Sequence, residues 1–432
     1  MPASSDQLLP YRPGIDGPFG RTQANHLLRR SSFGGTAAER DALLDQGLPA
    51  AVERLTATPE PSGAFADELQ LLDALTPLED AQLARAAWVA RMLHDPHPFR
   101  ELLTLFWHGH FATSIEKVGR VRLMQRQVAM LRERGPGSLR ALLSAVAHDP
   151  AMIIWLDGNA NRRHHPNENF ARELFELFTL GEGQYAEADV LEAARAFSGW
   201  HESGGRFRFA AGEHDDGHKQ VLGASGTLDG EDVIDAALAH PACGEHVGSA
   251  LFAYLVRPDP GPELRRSLGA LYRESDYDTR SFCRALLQSR AFFAPESRLA
   301  LVRSPVALAV GSVRSLGISV DSRALALAMA DMGQSLLAPP SVKGWDGGGA
   351  WLNTATLLAR ANLAVALAQA GGPLGVTPSG DERPLQRVRD ELLDLLVDGA
   401  VPGWVSERLV SEANSHAGLL AAILSLPEVQ YA

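Results

Sequence analysis

Apolar residues recur at three-and-four spacing along most of the chain, the period of helices with one buried face. The pattern predicts helices near 21–30, 36–57, 80–94, 98–112, 121–134 and 138–148. It resumes near 168–180, 186–199, 230–239, 247–256, 262–273 and 278–290, and again near 297–316, 320–332, 353–370, 382–398, 403–412 and 416–425. Gly, Pro and Asn-Gly-like punctuation separates most of these segments. Strand-like alternation is confined to Arg206–Ala210 (RFRFA), whose expected partner is Gln220–Leu222 (QVL) across a polar loop. The expected fold is therefore mainly α: a large multi-helix, bundle-like body with one short β-hairpin excursion and long Gly/Pro-rich loops. Strands and helices do not alternate, which removes a doubly wound sheet and its dinucleotide chemistry, and no repeat of a solenoid's length is present. The expected organisation is an N-terminal extension (1–20), a helical core (21–370), a Gly/Pro-rich linker (371–384, GGPLGVTPSGDERP) and a C-terminal helical segment (385–432) packed on the core.

Composition sharpens this picture. Of 432 residues, 45% are apolar and 21% charged, enough to build a sizeable core and incompatible with wholesale disorder. Forty basic against fifty-two acidic residues give a net charge of −12, which argues against nucleic acid as the main partner. Two cysteines, Cys243 and Cys283, allow one bridge at most and neither a disulfide framework nor a Cys-rich zinc site. No uninterrupted apolar run reaches the ~18 residues of a transmembrane helix. The start, MPASSDQLLPYRPGIDGPFG, lacks a basic stretch followed by an apolar one, so the expected location is the cytoplasm. Phosphate-binding GxxxxGK[ST], HExxH, GxSxG and kinase-like strings are all missing, leaving no support for those chemistries.

Four polar clusters could carry chemistry. In NANRRHHPNENFARELFELFTLGEG (159–183), a single helix over 168–180 puts Glu168, Asn169, Arg172, Glu173, Glu176 and Thr179 on one arc and Phe170, Ala171, Leu174, Leu177 and Phe178 on the other. This arc is either a solvated face with a Glu168–Arg172 pair or the wall of a cleft with a carboxylate as metal ligand or general base. In FWHGHFATS (106–114), His108 and His110 point roughly 200° apart on a helix, so one at most joins any site; the plainer reading is a core histidine. In EHDDGHK (213–219), His214, Asp215, Asp216 and His218 offer ligand types within a loop and Lys219 an anion partner, against the plainer reading of a polar turn. In MGQSLLAPPSVKGWDGGGAWLN (332–353), Trp345 and Trp351 form either a ligand-stacking wall beside permissive glycines or anchors that pin a long connection to the body.

Together these strings resemble the bacterial domain-of-unknown-function 1800 proteins. The matching stretches are HLLRRSSFG (26–34), FWHGHFATS, the block from Pro166 to Trp200, HDDGHKQVLG (214–223), RSPVALAVGSVRSLG (303–317), and the MGQ…PP.VKGW…WLN block followed by Arg360. They run in the family's order over most of the chain. The resemblance implies a mainly helical fold and no particular activity. Many relatives look exported and are often encoded beside a sulfatase-like partner; this chain departs from them in showing no export signal.

Two functional readings follow. The first is a metal-assisted hydrolase. Glu173, Glu176, Arg172 and Lys219 would be catalytic. His110, His214 and Asp215 would hold a divalent metal, and His26, Lys343, Trp345 and Asn353 would contact a small or polymeric, anionic substrate. The second is a non-catalytic binding or assembly protein in which the same residues form an ion-pair network between helices. They differ in whether the polar residues converge on a cavity or pair off in separate contacts. Two geometric expectations accompany them: both tryptophans of the long loop are buried, and Glu173 or Glu176 lies within hydrogen-bonding or ligand distance of a cation among His26, Arg29, His110, His214, His218, Lys219 and Lys343.

Overall fold

The computed structural model describes residues 5–74, 79–370 and 383–432. Of the chain, 64% is helical, and the described residues hold twenty-three α-helices beside two small antiparallel sheets. The predicted periods fall on observed helices: Arg21–Ser31, Ala81–His94, Phe99–His110, Val121–Arg134 and Leu139–Ala147 match almost to the residue. The 36–57 segment divides at Gly47 (φ 75), and the 297–316 segment is helical only from Pro305 to Leu316. The 12-residue helix Gly63–Ala74 lies outside the predicted segments, and the short helices at Ile115–Val118, Pro150–Trp155 and Arg290–Phe293 carry too few turns to show a period.

The ends of the elements follow local chemistry. Thr36 and Asp229 accept backbone N–H groups three residues on and are themselves met by Glu39 and Asp232, reciprocal caps that satisfy orphan donors. Ser304 and Asp149 cap helices that begin with proline, whose missing N–H costs nothing at that position.

One contiguous apolar core runs through the body, from Leu27, Phe99 and Trp107 through Phe252 and Phe282 to Val388, Leu396 and Leu420. Helices from 385 onward thus bury side chains among those of earlier helices, and Thr354–Ala370 packs on His416–Leu424. Pro241–Leu255 and Gly261–Glu274 pack closely along their length; a Cβ at Gly244 would lie 2.7 Å from the Gly269 carbonyl, so only glycine permits this approach. The N-terminal stretch is tied down by backbone bonds from Tyr11 to Gln288 and from Arg290 to Leu9. The expected linker at 371–384 lies outside the described residues except for Arg383 and Pro384.

The β excursion differs from the expected pairing. Arg206–Phe209 (β2) pairs with Trp200–Ser203 (β1), while Lys219–Val221 (β3) pairs with Ala224–Gly226 (β4). Two tight hairpins replace one long one because Gly204-Gly205 and Leu222-Gly223 supply positive-φ turns beside each strand. Both cysteines are free and buried in the core. Among the described residues no helix is long and apolar enough to cross a membrane.

Candidate functional site

The 168–180 segment departs from a single straight helix. Asn169–Glu173 is α-helical, and Leu174–Thr179 continues as a π-helical turn. Leu180 and Gly181 N–H groups both reach back to the Phe175 carbonyl, at 2.8 and 3.0 Å. The Thr179 hydroxyl bonds the Leu174 carbonyl at 2.5 Å. The wider turn shifts the face: Thr179 becomes fully buried and Leu177 turns outward to half-burial, the reverse of the expected arc for those two positions, and Phe175, on neither arc, is fully buried. Thr179 is buried without cost because its hydroxyl is satisfied locally.

A π turn leaves carbonyls unpaired at its C-terminal end, and two histidines answer them. His110 Nε2 donates to the Phe178 carbonyl at 3.1 Å from the end of Phe99–His110, and His246 Nε2 donates to the Leu177 carbonyl at 2.9 Å from Pro241–Leu255. Their rings lie 6.2 Å apart. A carbonyl can only accept, so both rings are the Nε2–H tautomer with Nδ1 as a free lone pair. Burial holds both below the ordinary histidine pKa, His110 at about 4, against the opposing effect of each ring's bond to its carbonyl. His246 was not visible in the sequence because a lone histidine in an apolar helix carries no pattern.

On the same segment, Glu176 accepts from the Tyr185 hydroxyl at 3.1 Å, and burial with this bond drives the phenol up to about 12. The Glu173 side chain makes no hydrogen bond or ion pair among the described residues. Burial, then the Glu176 charge, raises its pKa, while Lys343 and Arg172 oppose the rise. The Lys343–Trp345 loop closes over this region. Gly344 (φ 78) rests on the Gly109 carbonyl, where a Cβ would come within 2.5 Å, and Trp345 lies 5.7 Å from the His108 ring. Lys343 pairs at 3.6 Å with the exposed Glu182. Neither Glu173 nor Glu176 therefore reaches any of the seven expected cations; tyrosine takes the place of one, and the other carboxylate stays unpaired. Trp351 is buried, but Trp345 is only half-buried, because its ring covers Gly109 from outside.

The remaining candidates stand elsewhere, each with its own partners. Arg172 bridges Glu168 and Glu187 at 2.9 and 2.7 Å near the surface. In the EHDDGHK loop, Arg195 grips Asp215 through two nitrogens at 2.8 and 3.3 Å, which holds that carboxyl at about 2. His214 Nδ1 bonds the Ser198 carbonyl at 2.8 Å, His218 meets Ser225, and Asp216 pairs with Arg163. Lys219 is 1% exposed, and its Nζ donates to the carbonyls of Asp215, Gly217 and Leu228. These contacts lash the β3–β4 hairpin to the Glu187–Ala196 helix, whose Asp189 also accepts from the Leu222 N–H. His26 is buried against Phe292, bonding its carbonyl at 3.0 Å, and Asn353 caps the Thr354–Ala370 helix through Oδ1. His108 is fully buried in a T-shaped contact with Trp88, with neither ring nitrogen bonded.

His110 thus belongs to the π turn, and His214 and Asp215 to the hairpin clamp. Among the described residues no three His, Cys, Asp or Glu side chains are placed to hold a metal ion together. The polar residues that do gather are Glu173, Glu176, Tyr185, His110 and His246 around one irregular helical turn, with Lys343 at its rim.

A family model described as "Protein of unknown function (DUF1800)" matches residues 26–431. None of the curated proteins and none of the solved structures matches.

Proposed function

The chain belongs to the DUF1800 family, whose description assigns no activity, and from that premise we propose a binding or assembly protein whose signature polar residues hold helices and hairpins together. The observation that carries this reading is the commitment of Lys219: a buried ammonium with three carbonyl acceptors has no donor left for a substrate or a developing oxyanion. Arg172 is similarly engaged with Glu187, and Asp215 and His214 are engaged in the hairpin clamp with Arg195 and the Ser198 carbonyl. Structural networks of this kind produce the residue inventory of a hydrolase without its convergence. The partner class that the resemblance implies is a sulfatase-like protein, and co-purification with one is the first interaction to examine.

Elemental analysis of the purified protein, followed by a hydrolase panel with and without chelator, tests the reading. The expected result is no stoichiometric metal and no chelator-sensitive turnover. One metal per chain together with turnover lost to chelator would return the metal-assisted hydrolase.

A second reading is favoured by the π turn alone. Two neutral histidines with free Nδ1 lone pairs stand on the turn that also carries an unpaired, upward-shifted carboxyl, the perturbed groups from which acid–base sites are made. On this reading turnover survives chelator and is lost in Glu173→Gln, while that variant unfolds at the same midpoint as the parent.

A further inference from the structure

Three of the strings that carry the family resemblance meet at a place none of the readings above uses. The Arg21–Ser31 helix contributes Arg29 and Arg30, the lead-in to Pro305–Leu316 contributes Arg303, and Thr354–Ala370 contributes Arg360. All four are buried, between 3% and 7% exposed. The side-chain carboxylate that meets them is Asp398, held at the C-terminal cap of Leu385–Val397 in the left-handed region (φ 58) that aspartate tolerates. Arg29 donates to both of its oxygens at 3.1 and 2.5 Å, Asn25 donates to one of them at 3.2 Å, and the half-buried Arg298 pairs with it at 3.7 Å.

Among the described residues the other three guanidinium groups meet no carboxylate. Arg30 donates through one Nη to the Val256 and Ser297 carbonyls, at 3.1 and 3.2 Å. Arg360 donates to the Gln430 side chain and to the Arg303 carbonyl, at 2.9 and 2.8 Å. Arg303, with five N–H donors and 4% exposure, has a single 3.4 Å contact with the Leu396 carbonyl. The contrast with the rest of the chain is the telling point. Arg40 has Asp41 and Asp394, Arg132 has Glu101, and Arg314 has Glu39 beside three carbonyls. Arg40, the other buried arginine among the described residues, has acids of its own, whereas these four have Asp398 between them. Burial and mutual repulsion push Arg303 down to about 9 and Arg30 well below its ordinary value, the consequence of charges without a counterion. Uncompensated buried charge costs several kcal/mol per ion, so a fold that keeps three such groups together has a use for them.

We propose that Arg30, Arg303 and Arg360, with Arg29 and Asp398 behind them, form a buried site for a small doubly charged oxyanion, phosphate or sulfate, which binds as a structural ligand of the folded chain. The planar forks of arginine suit a tetrahedral oxyanion, and two negative charges offset a large part of the cluster's excess positive charge. Enclosure by side chains this buried selects a free anion over a polymer or a lipid surface. This inference is independent of whether the π turn is catalytic.

The test uses the full chain exchanged into chloride, with unfolding midpoints measured against phosphate, sulfate and chloride at matched ionic strength, and ion chromatography of the anion released on denaturation. Phosphate or sulfate should raise the midpoint saturably, with half-effect below 10 mM, roughly one anion should be released per chain, and chloride should do neither. Whichever of the two is released names the source. Arg303→Met should shift the half-effect concentration upward at least about tenfold while unfolding no earlier than the parent in chloride, because it removes an unpaired charge. Arg360→Met serves the same comparison if Arg303→Met does not fold. An equal midpoint rise in chloride, no released anion, or an undiminished response in the variant that folds would overturn the site.

Discussion

Lys219→Met separates a structural lysine from a catalytic one. Methionine keeps the apolar stem and volume while deleting the ammonium, so three carbonyls, those of Asp215, Gly217 and Leu228, lose their donor. Each buried acceptor left unpaired costs about 1–3 kcal/mol, a gross loss of roughly 3–9 kcal/mol if none is rehydrated. Two offsets reduce it. Removing a buried ammonium relieves its desolvation penalty, and Gly217 sits beside exposed residues, where water can reach its carbonyl. The net expectation is a destabilisation of about 3 kcal/mol, read as a lower urea midpoint at unchanged m-value. Lys219→Arg should fall between the two, since its donors survive but its fork does not fit a pocket shaped for one nitrogen. If Lys219→Met unfolds within about 0.5 kcal/mol of the parent, the hairpin does not depend on this lysine and the structural assignment of the EHDDGHK loop is wrong.

Three other perturbations follow from single sites. Burial lowers His108 from 6.5 to about 4, so between those values the unfolded chain binds the extra proton and stability falls as pH falls; His108→Phe should remove about 3 kcal/mol of that acid sensitivity, seen as a flatter difference curve between pH 6.5 and 4. Asp149 shifts the other way, from 3.8 up to about 6, so the folded chain binds the extra proton and stability falls as pH rises through that window; Asp149→Asn keeps an oxygen for the Met152 N–H and should gain up to about 3 kcal/mol at pH 7, vanishing below pH 4 in denaturant titrations. Gly344→Ala meets both a left-handed backbone and the Gly109 carbonyl, and should cost at least about 1–2 kcal/mol in thermal unfolding with a red shift of tryptophan emission as Trp345 lifts away.

The helical architecture was legible because burial on one face writes the same period into most of the long helices, among them Phe99–His110 and Leu385–Val397. It blurred where local backbone chemistry competes with that period. Gly47 breaks a continuous apolar rhythm, and paired glycines turn β1 back on β2 before the more distant QVL segment can be reached. Residue types likewise announced the polar clusters but not their partners. EHDDGHK looks like a ligand set by composition, yet Arg195 and the Ser198 carbonyl, both outside the string, decide that its members serve the hairpin.

The π turn is the sharpest instance of this limit. Glu173, Glu176 and Thr179 share an arc on paper, and nothing in the spacing distinguishes an α from a π continuation, because both begin with the same apolar residues. The difference is made by groups remote in sequence: His110 and His246 satisfy carbonyls that a regular helix end would leave to water. Once those histidines are counted, the odd turn, the buried Thr179 and the outward Leu177 have one explanation. The unpaired Glu173 does not share it. An ordinary solvated glutamate would leave its pKa alone, and a structural one would have a partner, so this carboxyl is the residue of the turn whose position the packing leaves unexplained. That distinction makes Glu173, rather than the better-connected Glu176, the residue on which a binding surface and an acid–base site predict different outcomes.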